Sequence, residues 1–257
     1  ILKTFSFMND LRDPSKGERI IETRVLLKKD DGEWVGLPYR WKDDMSDAYL
    51  AVVGGRATVE WTHLDGEVRM IKYIIPNMNQ CKQCHENDKV IQPIGPKARH
   101  LNKDFTYDGG VENQLKHWEN TGILTGLPED DATIPKNAVW DNPETDNLNE
   151  RARAYLDINC AHCHNPKGPA YTSGLDLSIH QESPVRVGVM KPPVAAGRGA
   201  GGLDYSIVPG DPDKSILVYR MESIDPGAMM PQLPRQVVHD EGVALIREWI
   251  TKMPAES

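Results

Sequence analysis

The four cysteines form the clearest chemical pattern in this chain, because all of them fall into two copies of one motif. The copies read Cys81-Lys82-Gln83-Cys84-His85 and Cys160-Ala161-His162-Cys163-His164. Cys-x-x-Cys-His is the attachment pattern of c-type haem. Two thiols on one helical turn can add to the two vinyl groups of the porphyrin, and the adjacent histidine can then bind the iron. The sequence therefore predicts two covalently attached haem c groups. Their predicted anchors are Cys81, Cys84, Cys160 and Cys163, with His85 and His164 as iron ligands.

Three other roles of paired cysteines fit the sequence less well. Zinc ribbons also use two Cys-x-x-Cys pairs, but their pairs are closer in sequence, and here we expect the pairs on opposite sides of a helical domain. A thioredoxin-type redox pair needs a βαβ context, which the surrounding sequence lacks. Two structural disulfides would suit an exported protein, but they leave His85 and His164 unexplained.

The second haem needs a sixth iron ligand, and a methionine in that position raises the haem potential. After His164 the candidates are Met190, Met221, Met229, Met230 and His180. We expect one of Met229 and Met230, since they lie in a predicted loop ahead of the terminal helix, where a segment covering the haem would be. Met230 is preferred, because the following proline stiffens the backbone.

The first haem has no equally clear sixth ligand, because no methionine occurs between Met78 and Met190. His117, on a predicted helix, is the first choice. The alternatives that stay open are His100, an upstream residue such as His63, Met70 or Met78, and an open or externally filled position.

Residues 1–76 carry the alternation that is typical of half-buried β-strands. Ile21, Thr23, Val25 and Leu27 alternate with polar residues, and a turn signal at 30–32 precedes a return strand at 34–37. A second such pattern covers 57–61 and 68–75, around Asp65-Gly66. We predict a small antiparallel sheet of four or five strands.

Helical signals follow the β-rich region. Asn79 is the predicted N-cap of a short helix that carries the first motif. The clearest helix covers 148–158, where Asn147 is the N-cap and Glu150 can complete a capping box, and it leads directly to Cys160. Further helices are predicted over 111–121, over 211–221 and after Asp240, with loops at 125–147 and 192–202.

Composition limits the class of protein. Among 257 residues, Lys and Arg number 30 and Asp and Glu 38, so the net charge of −8 argues against a nucleic-acid partner. No run approaches the roughly 18 apolar residues of a membrane span, which predicts no transmembrane segment. The chain opens at Ile1 without a basic or apolar leader, so we expect a mature or trimmed product.

The second half of the chain resembles a class I cytochrome c domain, through residues 153–164, 208–212, 229–231 and 245–250. With further motifs at 76–81, 93–96, 113–115 and 192–197, the whole chain is similar to a family of bacterial di-haem c-type cytochromes. Together with the strand and helix patterns, this resemblance implies an α+β fold. An N-terminal antiparallel β region at 1–76 would precede two mostly α-helical cytochrome c-like haem domains, at 77–147 and 148–257.

The resemblance also implies electron transfer and export through the secretory route. We therefore expect an electron carrier rather than an enzyme. It would relay single electrons in the periplasm or outside the cell, between redox partner proteins or neighbouring cytochrome subunits. Two alternatives stay open: a subunit of an extracellular haem-stacked filament, and a di-haem peroxidase with an open first haem. An apolar strand expected at residues 1–7 would present an unpaired edge, which fits a homo-oligomer or filament.

Overall fold

The structure is a computed structural model that describes residues 1–195, 197–233 and 235–254. Ala196, within the 192–197 motif, lies outside the described residues. The strands are Leu2–Met8 (β1), Glu18–Lys28 (β2), Trp34–Trp41 (β3), Ala48–Leu50 (β4), Gly55–Thr62 (β5), Val68–Ile75 (β6), Glu86–Asn87 (β7), Val90–Ile91 (β8), Asp104–Tyr107 (β9) and Gly110–Asn113 (β10). The α-helices are Lys82–His85 (α1), Ala98–Leu101 (α2), Gln114–Asn120 (α3), Leu148–Asn159 (α4), Pro184–Val187 (α5), Ile216–Glu222 (α6) and Asp240–Thr251 (α7).

The prediction of two mostly helical cytochrome c-like domains is wrong. Helices, with the short 3-10 turns included, hold only 27% of the residues, and the fold mixes them with a four-stranded antiparallel sheet and small two-stranded sheets. Between residues 77 and 147, α1, α2 and α3 are short and alternate with the hairpins β7–β8 and β9–β10. The abundance of proline and glycine is a physical reason for the low helix content. The chain holds 19 Pro and 21 Gly, and both residues disfavour the interior of a helix.

Antiparallel strands occupy residues 2–75, but they form two separate units instead of one sheet. The first is the sheet β1-β2-β3-β4 and the second is the hairpin β5–β6. Along β5, Ala57, Val59 and Trp61 are buried while the residues between them are exposed, which is the period-two pattern of the sequence. The predicted return strand is present as well, since β2 pairs with β3 and Val25 lies opposite Leu37.

The helix predicted over 111–121 is shorter in the structure. α3 begins at Gln114, because the Asn113 side chain caps it by accepting a hydrogen bond from Leu115 N at 3.0 Å. Val111 lies instead in β10, opposite Thr106 of β9. The two strands are joined through Asp108-Gly109, and an Asp-Gly pair between extended runs is a hairpin signal. This hairpin signal outweighs the helical spacing that relates Val111 to the apolar residues of α3.

The larger hydrophobic core lies among α4, α6 and α7. Leu156, Val218 and Ile246 are fully buried in it, and each side chain of this kind stabilises the fold by roughly 1.5–3 kcal/mol. Asn147 caps α4 as predicted, with its Oδ1 accepting from Glu150 N at 3.0 Å. The core thereby fixes the end of α4, from which the chain enters the second motif.

A buried carboxylate joins the four-stranded sheet to the hairpin β5–β6. Glu22 of β2 is 0% exposed, and it accepts a hydrogen bond from the Tyr73 hydroxyl of β6 at 2.6 Å. It also forms an ion pair with Arg24 of its own strand. The Arg24 guanidinium lies over the Phe5 ring of β1, 4.1 Å from its centroid. Because an unpaired buried charge costs several kcal/mol, these contacts hold the hairpin against the sheet.

Tyr73→Phe removes the hydroxyl that donates to Glu22. We expect the free energy of unfolding to fall by about 1–3 kcal/mol, the cost of leaving a buried acceptor unsatisfied, in urea denaturation at neutral pH. Tyr49→Phe is the matched control, since Tyr49 is 48% exposed. Equal stability of the two variants would contradict a joining role for this hydrogen bond.

Candidate cofactor site

The first Cys-x-x-Cys-His motif lies on one helical stretch directly after β6. A capping box opens it, in which Gln80 N donates to Asn77 Oδ1 and Asn77 N donates to Gln80 Oε1, both at 2.9 Å. The N-cap is thus Asn77, and the predicted cap Asn79 lies inside the turn. A short 3-10 turn, Met78–Cys81, continues into α1, so both thiols and the histidine share this stretch.

Strand β3 passes directly beside Cys81. A Cβ atom at Gly36 would lie 2.7 Å from Cys81 Sγ, closer than real side chains approach, so the strand needs a glycine at this position. Burial raises the pKa of the Cys81 thiol. The four-stranded sheet is therefore the platform on which the first motif rests.

The imidazole of His85 is held by the segment that follows the motif. Its Nδ1 lies 3.1 Å from the Gln92 carbonyl oxygen, and Gln92 N donates back to the His85 carbonyl at 2.7 Å. A carbonyl can only accept, so Nδ1 carries the proton and Nε2 carries the lone pair. Burial lowers the pKa of His85, which favours the neutral form that binds metals.

The second motif follows the end of α4 as a hydrogen-bonded turn. Cys163 N and His164 N both donate to the Cys160 carbonyl, at 3.1 and 2.9 Å. Cys160 packs against the hydrophobic core of α4, α6 and α7, and burial raises the pKa of its thiol to about 12. The core thus positions the second motif as the sheet positions the first.

The imidazole of His164 is also fixed through Nδ1, here by a hydroxyl. Nδ1 lies 3.0 Å from Ser173 Oγ, and Ser173 Oγ donates to the Ala170 carbonyl at 2.7 Å. Since the hydroxyl proton is used in that bond, Ser173 accepts from His164, and Nε2 again carries the lone pair. Burial, aided by the positive charge of Arg220, lowers the pKa of His164 to about 4.

The second cysteines of the two motifs meet in the structure. Sulfur atoms of Cys84 and Cys163 and a ring nitrogen of His162 all lie within 4.8 Å of one another. Cys163 Sγ also lies 3.6 Å from the Gln83 carbonyl oxygen. The close contact between the two thiols lowers the pKa of Cys84 and raises that of Cys163. The expectation that the cysteine pairs lie on opposite sides of a helical domain is therefore wrong.

A cavity of about 220 Å³ opens beside this contact. Its walls come from both motifs and from the segment after the first one, and they include Cys84, His85, Gln92, Ile94, Lys97, Ala161 and His162. Cofactor pockets typically measure roughly 300–1,000 Å³. The thiols and imidazoles are the donors that a haem c needs, but the cavity as it stands is smaller than this range.

A buried carboxylate ties the middle of the chain to the end of α4. The fully buried Asp157 accepts two hydrogen bonds from the Arg99 guanidinium, both at 2.9 Å, and one from His100 Nε2 at 2.8 Å. His100, an alternative sixth ligand in the sequence, thus directs its Nε2 at Asp157. Sequence reasoning missed Asp157, although an acid in the last turn of a helix opposes the helix dipole and so indicates a cationic partner.

His117, the predicted sixth ligand of the first haem, lies on α3 and is half-buried. Its Nδ1 is 2.9 Å from Glu112 Oε2, and its ring stacks on Tyr107 with 3.6 Å between centroids. A carboxylate on Nδ1 is the arrangement that orients many metal-binding histidines, and it leaves Nε2 for the metal.

The Met229–Met230 loop is attached to α6 near His164. Met229 is buried, at 4% exposure, and Met230 is partly buried. Met230 N donates to the Arg220 carbonyl at 2.9 Å, while Arg220 Nε donates to the Ala228 carbonyl at 2.8 Å. Besides burial, the charge of Arg220 lowers the pKa of His164, so the residue that holds the methionine loop influences the second motif as well.

Comparison with protein-family models, with curated proteins and with solved structures finds no match to this chain. Within the described residues, no helix is both long enough and apolar enough to cross a membrane, as the sequence predicts. The function must therefore be inferred from the chemistry of the site, because a fold by itself does not define an activity.

Asp157→Asn leaves Arg99 and His100 without their carboxylate. At pH 7 we expect the free energy of unfolding to fall by about 3 kcal/mol or more, as when one partner of a buried ion pair is removed. The measurement is urea denaturation, with the exposed Asp141 replaced in Asp141→Asn as the control. The control should change stability by no more than about 0.5 kcal/mol.

The stability difference between wild type and Asp157→Asn should also depend on pH in a defined direction. Burial raises the pKa of Asp157, but the hydrogen bonds from His100 and Arg99 outweigh it, and the net shift is downward. The stability that Asp157 contributes is thus complete above the unfolded-state pKa of about 3.9 and is lost as the pH falls through its lower folded-state pKa. The gap between wild type and Asp157→Asn should close below about pH 4, and a widening gap would contradict the assignment.

Proposed function

We propose that this protein is a di-haem c-type cytochrome that relays single electrons outside the cytoplasm. The observation that supports it most is the matched arrangement of His85 and His164. Each follows a Cys-x-x-Cys pair, on a helical stretch in the first motif and on a hydrogen-bonded turn after α4 in the second. Each also has its Nδ1 held by an oxygen atom. An imidazole fixed in this way offers Nε2 to a metal. The oxygen that holds Nδ1 belongs to the Gln92 carbonyl in the first motif and to the Ser173 hydroxyl in the second. In both motifs Nε2 is the nitrogen left for a metal.

The four thiols would carry the thioether bonds, with Cys81 and Cys84 on one haem and Cys160 and Cys163 on the other. When bound, the haem iron supplies the one-electron chemistry. The chain's own contribution is to orient the imidazoles, to exclude water from them and to set the local charge. Arg220 places a positive charge near His164, and a nearby cation favours the less positive state of a redox centre.

Contact between the motifs supports an electron relay rather than two redox centres that act independently. Cys84 and Cys163 lie within 4.8 Å of each other, so the two haem attachments would be side by side. Electron tunnelling weakens steeply with distance, and adjacent attachments therefore favour transfer from one haem to the other.

For the sixth ligands we propose Met230 at the second haem and His117 at the first. The loop of Met230 is anchored on Arg220, whose charge acts on His164. His117 has the Nδ1–carboxylate contact with Glu112 that suits a metal ligand. Met229 is the alternative to Met230.

We propose a periplasmic or extracellular location, since the resemblance of the sequence implies export. The net charge is −8 before any haem propionates are counted. Redox partner proteins or neighbouring cytochrome subunits would then dock through basic patches, with encounter rates that fall as salt increases.

A subunit of a haem-stacked filament is a second candidate, favoured by the edge of the four-stranded sheet. Within the described residues β1 pairs with β2 alone, and Leu2 on it is 73% exposed. An edge strand can accept a strand from another molecule, and a contact of this kind that does not close generates a filament.

Mass spectrometry of the exported and denatured protein tests the proposal directly. We expect the mass of the chain plus two haems, because thioether bonds survive denaturation. The double variant Cys81→Ser/Cys84→Ser should carry one haem, and so should Cys160→Ser/Cys163→Ser, which controls for the number of sites. A wild-type mass equal to that of the bare chain would overturn the proposed function.

Met230→Ala tests the ligand of the second haem. We expect loss of the methionine–iron charge-transfer absorption band and a lower midpoint potential, since methionine raises the potential when it completes a His/Met pair. Met190→Ala is the control, because Met190 is partly exposed. The same loss in Met229→Ala instead would move the assignment by one residue. Turnover of hydrogen peroxide by a high-spin first haem would favour the peroxidase alternative.

A further inference from the structure

Two thiols and one imidazole converge where the motifs meet, and we call this group, Cys84, Cys163 and His162, the Cys2His cluster. Its ligand atoms all lie within 4.8 Å of one another. His162 is the residue between the two cysteines of the second motif that the haem attachment pattern does not use. Its Nδ1 is shielded from solvent and has no hydrogen-bond partner among the described residues. The imidazole of His162 is therefore not committed through Nδ1 to another group of the described protein.

The donor set of the cluster matches the preference of zinc. Zn²⁺ binds thiolate sulfur at about 2.3 Å and imidazole nitrogen at about 2.0–2.1 Å in tetrahedral sites. Two ligand atoms on such an ion are then roughly 3.3–3.8 Å apart. Atoms that already lie within 4.8 Å need to move by about 1 Å, which side-chain rotation can supply. The three ligands leave a fourth position for water, and the adjoining cavity, lined by Cys84 and His162, gives it access.

We propose that the chain, before haem is attached, binds one Zn²⁺ ion through Cys84 Sγ, Cys163 Sγ and the imidazole of His162. Binding releases the thiol protons to solvent, because thiolates are the ligands. The ion joins the first motif to the second, which are about 80 residues apart in the chain. The same two sulfur atoms cannot hold zinc and form thioether bonds, so zinc competes with haem attachment. This site goes beyond the proposed function and does not depend on it.

The test uses the full chain with its four thiols reduced and no haem attached. Titration with Co²⁺, a spectroscopic substitute for Zn²⁺, should give a sulfur-to-cobalt charge-transfer band that saturates at one ion per chain. One equivalent of Zn²⁺ should then abolish the band. His162→Ala and His162→Gln should each weaken binding about tenfold or more, while Cys81→Ser and Cys160→Ser, which alter the thiols outside the cluster, should leave the affinity unchanged.

A second measurement on the wild-type chain needs no substitution. Zn²⁺ should slow the modification of Cys84 and Cys163 by iodoacetamide and leave the rates at Cys81 and Cys160, which are low because both thiols are packed against protein, unchanged, as read by mass spectrometry of the peptides. Equal modification of Cys84 and Cys163 with and without Zn²⁺, or saturation at two Co²⁺ ions per chain, would overturn the proposed site. Unchanged affinity in both His162 variants would do the same. Because no haem takes part, these results are separate from the mass measurement that tests the cytochrome proposal.

Discussion

The hydrogen bonds of Asp157 are the interaction on which the relative placement of the two motifs depends. This carboxylate lies three residues before Cys160 and holds Arg99 and His100 of the middle segment. It also accepts a hydrogen bond from Ile179 N at 3.2 Å, and a buried ion pair that loses one partner costs several kcal/mol. The middle segment, residues 77–147, has short helices and hairpins of its own. Besides the Asp157 contact, it is positioned by Cys81 against β3 and by the hydrogen bond from Asp88 N to the Lys167 carbonyl at 2.9 Å.

The two histidines share an orientation but differ in surroundings. Ser173 and the nearby Arg220 lie around His164, while His85 is held by a backbone carbonyl at the edge of an open cavity. Burial and charge set the potential of an iron centre as much as its ligands do. Under the proposed function, the protein would therefore give its two haems different potentials, which sets a direction for electrons that pass between Cys84 and Cys163.

Local features of this protein were readable from the sequence and distant contacts were not. The alternation along β5, the hairpin β2–β3 and the Asn147 cap of α4 each depend on residues close in the chain, where period and capping act directly. The prediction of two helical domains was wrong, because proline and glycine keep the helices short. The helix predicted over 111–121 is present but begins only at Gln114, because the Asp108-Gly109 hairpin takes up Val111. The contact of Cys163 with Gln83 spans 80 residues and depends on how the middle segment folds back, which no local pattern encodes.

Gly36 has a consequence for the biogenesis of the protein. Its strand occupies one side of Cys81 at a distance that excludes even a methyl group, and the strand precedes the motif in the chain. During synthesis from the N-terminal end, β3 thus emerges before the thiol that it contacts. Under the proposed function, machinery that loads haem onto the first motif of the folded chain would have to approach from the side opposite to β3, so the sheet would determine the accessible side of the thiol.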